Sequence, residues 1–524
     1  MLKKEIIWSN RNGRETSMKE KSRIQNSFFN ISAGMTTNII SILISFLQRV
    51  VFLKILDATY LGISGLFSNI LLIFSLAELG IGAALTQMFY RPFAEEDFHK
   101  LSVVTYTTRR LLNLVGIVII ILTVLFTPFL QWFVNDITTV PHMRLIFFLY
   151  GISSSITYFA GYYRTIITAN QEAYRLLKID FIWKILTFIV LSFLLIISRN
   201  FIVYLVAQIV MNFGLNLVVK KIVRNRYKEI DYKCKEFLPK EEMKHLGKNV
   251  YGLSMSRLAT VITQGTDNII ISKFLNLKIV GYASNYTMII QSVTTLMEAL
   301  FGPLLASIGN YCISKSKEEQ YELFQNLSFA AFWLYGFCSI TCFCLADTFI
   351  GIVFGTEYLI PQIATFFLCL DIFCIGITRV ATLFRTAQGI FWYGRYRPLL
   401  QALVNLISSI LLITLTNELW AVYAGTVLSR LLVTVWYEPF IVMKYGFEVK
   451  SYKYLLKEVI YFGVYLIALV ISRQFLLMLH LQGITRLVVV ALLCIGIINL
   501  MFLLFFFKRK EFKYWIGFVK NIKH

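Results

Sequence analysis

The chain has 524 residues, of which 57% are hydrophobic and only 15% charged, and its mean hydropathy is +0.67. Soluble domains carry about 25% charged residues, and a single soluble core could not absorb 45 Phe and 28 Tyr at this length. A soluble enzyme, a disordered chain and a secreted disulfide scaffold are excluded, and so is a transmembrane barrel, because the apolar runs are continuous rather than alternating.

The pattern is that of an all-α polytopic membrane protein. In chain order, a polar, basic N-terminal tail (1–26) precedes apolar stretches at 27–53, 61–89, 111–133, 143–163, 179–198 and 200–219. A basic connector, 220–248, follows. Further stretches lie at 249–272, 280–309, 323–347, 359–384, 398–416 and 418–442, and a last segment, 444–524, adds stretches at 458–472 and 485–507 before a basic tail. Each is long enough to cross about 30 Å of hydrocarbon as a helix, which predicts about 14 transmembrane helices. No apolar run with a cleavage site follows the basic start, so no signal peptide is expected.

Basic residues set the orientation. With the N-terminus inside, 39 of the 51 Lys and Arg fall in cytoplasmic segments and the other 12 in outward loops or inside spans. Lys and Arg concentrate on the cytoplasmic side of membrane proteins, so both termini are expected in the cytoplasm. The same rule accounts for the net charge of +22 without a nucleic-acid partner. The 220–248 segment reads as a solvated cytoplasmic connector.

An offset of 219 residues superposes several features. Phe147, Phe148 and Leu149 meet Phe366, Phe367 and Leu368; Gly62 meets Gly281; Val203 and Tyr204 meet Val422 and Tyr423; Tyr174 meets Tyr393; Lys178 meets Arg397. A duplication is expected, with one six-helix bundle in 27–219 and another in 249–443. Each unit has an even number of spans, so both point the same way. They are then related by an axis along the membrane normal and enclose a central cavity, as in parallel-repeat transporters.

The stretch from Tyr60 to Ile70, continuing through Phe74–Gly82 to Tyr90–Ala94 and Asp97, resembles the second span of Wzx-type oligosaccharide flippases. These are polysaccharide transporters of the multidrug/oligosaccharidyl-lipid/polysaccharide superfamily. The resemblance implies movement of undecaprenyl-pyrophosphate-linked oligosaccharide repeat units from the inner to the outer leaflet of a bacterial cytoplasmic membrane. It also implies a central cavity that is often cationic. The partners implied are the lipid-linked oligosaccharide, membrane lipids and a polysaccharide polymerase. Fourteen spans also resemble the lipid II flippases, although their arginine–acidic signature in span 1 is absent here.

Ionisable side chains inside spans are costly and mark functional candidates. Arg49, Arg257, Arg379 and Arg430 are the candidate substrate-binding cations, since the planar guanidinium fork suits a phosphate. Arg49 is expected to face the other three across the cavity. Asp371 and Arg379, eight residues apart, lie about 80° apart around the helix and about 12 Å along it, too far to pair directly. Glu78, Asp267, Glu298 and Asp371 are the candidate coupling and cavity carboxylates, with Asp267 and Glu298 favoured for a proton or sodium site. Asp180 and Lys184 share a helix face and are expected to pair. Glu438 is a further acidic residue inside a span. Cys338, Cys342 and Cys344 read as small core hydrophobes, because no histidine accompanies them, and no metal or other cofactor is expected. Pro128 and the Gly302–Pro303 pair mark bends.

Three rival functions fit the sequence less well. A cation or drug antiporter would run on a few carboxylates and need no central arginines. A membrane polymerase or ligase would need a sizeable outward loop, and the outward loops are short. An ATP-driven pump would need a phosphate-binding loop of the G-x-x-x-x-G-K-[ST] type, which is absent. A transporter without enzymatic activity is the expectation.

Overall fold

The computed structural model describes residues 37–78, 80–133, 140–170, 172–479 and 481–522. The basic tail and the first ten residues of the first expected span lie outside them. Among the described residues all regular structure is helical: α1 Thr37–Ile55, α2 Ala58–Phe74, α3 Ile81–Ala94, α4 Phe98–Phe126, α5 Met143–Phe159, α6 Gly161–Ala169, α7 Ala173–Ser198, α8 Phe201–Arg226, α9 Lys240–Gly265 and α10 Asp267–Phe274. Then come α11 Leu277–Phe301, α12 Leu304–Ser314, α13 Lys317–Val353, α14 Gln362–Ala387, α15 Arg397–Thr416, α16 Trp420–Ser429, α17 Val435–Ile441, α18 Tyr452–Leu477, α19 Gly483–Phe506 and α20 Lys510–Ile522.

Twelve helical stretches among the described residues are long and apolar enough to cross a membrane. The expected count of 14 differs by two, and the reason is local. The span expected at 61–89 is split: α2 ends in a short 3-10 turn, and Gly80 takes a left-handed conformation (φ 82°) before α3. The span expected at 249–272 is α9 and α10, broken at Thr266 and polar in its first half. The Gly302–Pro303 bend is realised as the break between α11 and α12. Pro128 opens a 3-10 turn at the end of α4, where its missing N–H costs nothing. Several helices outrun their apolar stretch. α13 starts at Lys317 through a capping box between Ser316 and Glu319, which satisfies orphan N–H groups at the membrane edge.

The 219-residue offset recurs in the packing. Asp57 caps α2 and Asn276, its counterpart, caps α11. The two helices then cross in a reciprocal contact. A Cβ on Gly62 would lie 1.8 Å from the Leu277 carbonyl oxygen, and one on Gly281 would lie 2.2 Å from that of Ala58. Residue 58 plus the offset is 277, and 62 plus the offset is 281, so each partner repeats the other's role. Only glycine lets the two backbones approach this closely.

This crossing lies at the end of the molecule that carries the 354–361 loop. There a single apolar cluster joins helices from both sides of the connector: Phe52, Phe67, Phe147 and Leu205 share it with Ile271, Val280, Leu368 and Val422. At the opposite end the clusters are separate, one around Phe89, Val104, Ile166 and Val223, another around Phe301, Phe324, Phe384 and Phe447. The helix assembly is closed at one end and parted at the other. α18 and α19 pack on α13 and α14 through stacked rings such as Phe373–Tyr465, 4.0 Å between centroids.

The expected solvated connector is shorter and better packed than the sequence suggests. α8 runs to Arg226 and α9 starts at Lys240, and in between Ile230 and Leu238 are buried. Asp231 donates its backbone N–H to Ser102 Oγ (2.8 Å), and Leu238 donates to Thr107 Oγ1 (3.1 Å). The connector is a strap across α4, because its few apolar residues find a groove that composition does not reveal.

Candidate functional site: a polar cavity between the helices

Between α1, α2 and α11, below the glycine crossing, lies a cavity of about 770 Å³. Ile42, Phe52, Leu61 and Met288 give its wall an apolar part, and most of the other lining side chains are polar although the helices are apolar. Ser41, Ser45 and Gln48 line it from α1, Ser64 and Ser68 from α2, and Ser284, Thr287, Gln291 and Thr295 from α11. The spacing is helical, three or four residues apart, so each helix turns one hydroxyl- and amide-bearing stripe inward. Tyr150 Oη donates to Ser64 Oγ (2.7 Å), and Gln48 Nε2 donates to Tyr204 Oη (2.8 Å), which fixes part of the wall.

Among the described residues, the charged side chains on this wall are Arg49 and Lys184, and no carboxylate lines it. Arg49 Nη1 donates to the Ser284 carbonyl (2.6 Å), to Ser284 Oγ (3.2 Å) and to Asn285 Oδ1 (3.3 Å). Its partners are neutral, so its charge is solvated by dipoles and stays available to an anion. The contact also ties α1 to α11, next to the crossing that closes this end.

Lys184 reaches this wall because its expected partner is taken. Asp180 accepts both Nη groups of Arg164, at 2.7 and 2.9 Å. The i,i+4 pairing therefore does not form: a bidentate guanidinium is the stronger match for a carboxylate than a single ammonium.

The remaining candidates are dispersed. Arg379 pairs with Glu298 on α11 at 2.5 Å. Arg430 forms a bidentate pair with Asp371 across α14. Arg257 is exposed on α9 and makes no ion pair among the described residues. Glu78, at the break after α2, accepts from Tyr158 Oη (3.1 Å). Of the four arginines, Arg49 is the one that lines the cavity.

Asp267 opens α10 just after the Thr266 break. Its Oδ1 is buried without a hydrogen-bond partner, and so is the Tyr423 hydroxyl; the charges of Asp371 and Arg430 act on the Asp267 carboxyl. Arg430 itself begins a π-helical stretch, Arg430–Thr434. Such wide turns inside a helix concentrate where function overrides regular hydrogen bonding.

The sequence marks Glu438 and Lys184 but not the roles they take, and it leaves Glu458 unmarked. Glu438 is fully buried between Arg385 (2.9 Å) and Arg397 (2.7 Å), and so is a structural anchor for the ends of α14, α15 and α17. Glu458 on α18 is buried, with Oε1 unpartnered. Lys184 is a cavity cation. The signal that could have located the cavity is the recurrence of Ser, Thr and Gln at helical spacing within apolar spans. Polar residues on a lipid-facing stripe would have no partner.

A family profile described as "Polysaccharide biosynthesis protein" matches residues 25–308. The chain belongs to the polysaccharide biosynthesis protein family. Comparison with curated proteins returned no match. Among solved structures, the chain is similar to the lipid II flippase MurJ in an inward closed conformation, with a TM-score of 0.63 and 14% identity over 90% of this chain and 98% of that one. It is also similar to an inward-facing multidrug resistance MATE family transporter of the MOP superfamily, with a TM-score of 0.60 and 15% identity over 77% and 94%. A point mutant of the Vibrio cholerae MATE transporter VcmN aligns with a TM-score of 0.54 and 13% identity over 80% and 97%. At these identities the likeness establishes the fold: that of membrane transporters and flippases.

Proposed function

We propose that this family member is a flippase for undecaprenyl-pyrophosphate-linked oligosaccharide repeat units, moving them from the cytoplasmic to the outer leaflet of a bacterial cytoplasmic membrane by alternating access. The observation that carries this reading is the cavity itself: hydroxyl and amide groups at helical spacing on three helices, with two cations and no carboxylate among the described residues of its wall. Hydroxyls and amides match the hydrogen-bonding surface of a sugar, and a guanidinium matches a phosphate. The two six-helix units, 27–219 and 249–443, rock against one another around this cavity, with both termini in the cytoplasm and the parted end facing inward. A polysaccharide polymerase on the far side would consume the product.

A cation or drug antiporter is less well supported, because a cationic drug would meet two fixed positive charges and, among the described residues, no carboxylate on this wall. Driving force comes from a proton or Na⁺ gradient loading at Asp267, whose orphaned Oδ1 is the carboxylate atom most in need of a cation.

The test is reconstitution. Vesicles carrying the protein and a lipid-linked oligosaccharide on one leaflet are probed with an impermeant glycan-cleaving enzyme. Protein-dependent transfer to the other leaflet, faster than in empty vesicles, is the expected result. Transfer of a cationic dye without transfer of the glycan lipid would overturn the reading.

A further inference from the structure

At the parted end, the turn after α14 and the end of the twelfth expected span form a shelf of exposed aromatic rings and unpaired cations. Trp392 and Tyr396 are 68% and 65% exposed, which is unusual for side chains of this size on an ordered segment. The segment is held in place. Gly389 turns the chain with φ 70°, Tyr437 Oη donates to the Tyr393 carbonyl (3.0 Å), and the Tyr393 ring stacks on Tyr445 at 3.7 Å.

Two cations sit on these rings. The Arg395 guanidinium lies 3.6 Å from the Trp392 centroid and 4.6 Å from that of Tyr396, and Lys444 lies 5.2 Å from Tyr445. Neither is ion-paired among the described residues. The nearby carboxylates are engaged elsewhere, Glu438 with Arg385 and Arg397, and Glu448 with Lys317. The Arg395 guanidinium lies over both rings and makes one hydrogen bond, from Nη1 to the Trp392 carbonyl (2.9 Å), and the side chain is exposed, so the other N–H groups are free to meet a ligand. A guanidinium can grip a phosphate with two parallel bonds.

We propose that this shelf is a binding site for the phosphodiester headgroup of an anionic membrane phospholipid in the leaflet at the parted end. Its position at the helix ends is where tryptophan and tyrosine settle in a bilayer interface, and its charge is complementary to that leaflet's anionic lipids. The fold does not require the shelf. At the 219-residue offset, Trp392, Arg395 and Tyr396 correspond to Ala173, Leu176 and Leu177, and Phe391 corresponds to Glu172, which there neutralises Arg175 and Arg226. The three counterpart positions therefore carry neither a ring nor a cation, and the cation–ring contact near them is Arg224 over Tyr232, 5.1 Å from the centroid.

The test is native mass spectrometry of the full chain in detergent, titrated with phosphatidylglycerol or phosphatidylcholine of matched acyl chains. The parent protein should retain phosphatidylglycerol preferentially. Each interfacial cation contributes about fivefold, so Arg395→Ala should lower that retention about fivefold and the double variant Arg395→Ala/Lys444→Ala about 25-fold. Trp392→Ala, which keeps both charges but removes the stack, should also weaken it. These side chains are exposed, so melting temperatures should stay at the parent value. Unchanged phosphatidylglycerol retention in the double variant, or equal retention of the two lipids by the parent, would overturn the assignment. Displacement of the lipid by millimolar inorganic phosphate would identify a free-anion site instead and would equally overturn it.

Discussion

The glycine crossing makes a quantitative claim about gating. With Gly62→Ala, the new Cβ would lie 1.8 Å from the Leu277 carbonyl oxygen, a backbone atom that no rotamer change can move. Carbon and oxygen do not approach within about 3 Å, so α2 and α11 must separate by roughly 1.2 Å or more, and the packing around Ala58 and Val280 loosens with them. Overpacking of this kind costs about 1–3 kcal/mol. The penalty falls on the closed crossing alone, because a state in which the two helices have parted has room for the methyl. The ratio of closed to open therefore shifts by roughly 5- to 150-fold toward open. Gly281→Ala should act alike, its Cβ meeting the Ala58 carbonyl at 2.2 Å, while Gly65→Ala, whose Cβ first meets the Asn268 side chain at 3.2 Å, serves as a mild control. The readout is the labelling rate of a cysteine placed at Ser64, on the cavity wall, by an impermeant maleimide supplied from the side of the 354–361 loop. Faster labelling for Gly62→Ala and Gly281→Ala, and a near-parent rate for Gly65→Ala, is the expected result. If Gly62→Ala accumulates normally and labels no faster than the parent, the crossing is not the seal.

Four further outcomes follow from the charged groups. Arg49→Ala should abolish glycan-lipid transfer at normal protein levels and Arg49→Lys should keep part of it, since the ammonium retains charge but not the fork; full transfer by Arg49→Ala would remove this residue from substrate handling. Arg430→Ala should lower the amount of folded protein by stranding Asp371, a loss of about 3–5 kcal/mol for a buried pair, whereas Arg379→Ala should accumulate normally because Glu298 stays half-exposed to water; melting curves of the two purified variants decide this, and equal melting temperatures would count against the distinction. Glu438→Gln should be as destabilising as Arg430→Ala, because two buried arginines lose their counter-charge; a parent-like melting temperature would count against an anchoring role. Asp267→Asn should fold normally and lose its dependence on the proton or Na⁺ gradient in reconstituted transport; unchanged dependence would rule this carboxylate out as the coupling site.

The cavity was only partly legible beforehand. Arg49 lines it, as a guanidinium near one end of an apolar helix must find either water or fixed dipoles. Arg379 and Arg430 were expected to share it and instead meet carboxylates from neighbouring helices. Eight residues along one helix separate Asp371 from Arg379, and that distance correctly excluded their pairing. It could not show that Asp371 would reach Arg430, 59 residues away, or that Glu298 would reach Arg379. Lys184 was assigned to Asp180 by helical spacing, and Arg164 from the preceding helix took the carboxylate instead.

What the sequence determined by itself is the helical, membrane-spanning character of the chain, the approximate place of nearly every span and the 219-residue correspondence between Gly62 and Gly281. These properties are written residue by residue: hydropathy sums along a segment, and a helix satisfies its own backbone wherever it lies. What only the tertiary structure decided is which polar stripe faces which, that α2 and α9–α10 are broken rather than continuous, that the connector is packed, and that Arg49 and Lys184 are the cations left on the cavity wall. Those outcomes depend on helix rotation and crossing. A turn of about 100° per residue decides whether a guanidinium meets a carboxylate, a carbonyl or an open cavity, and no local pattern in the chain specifies that angle.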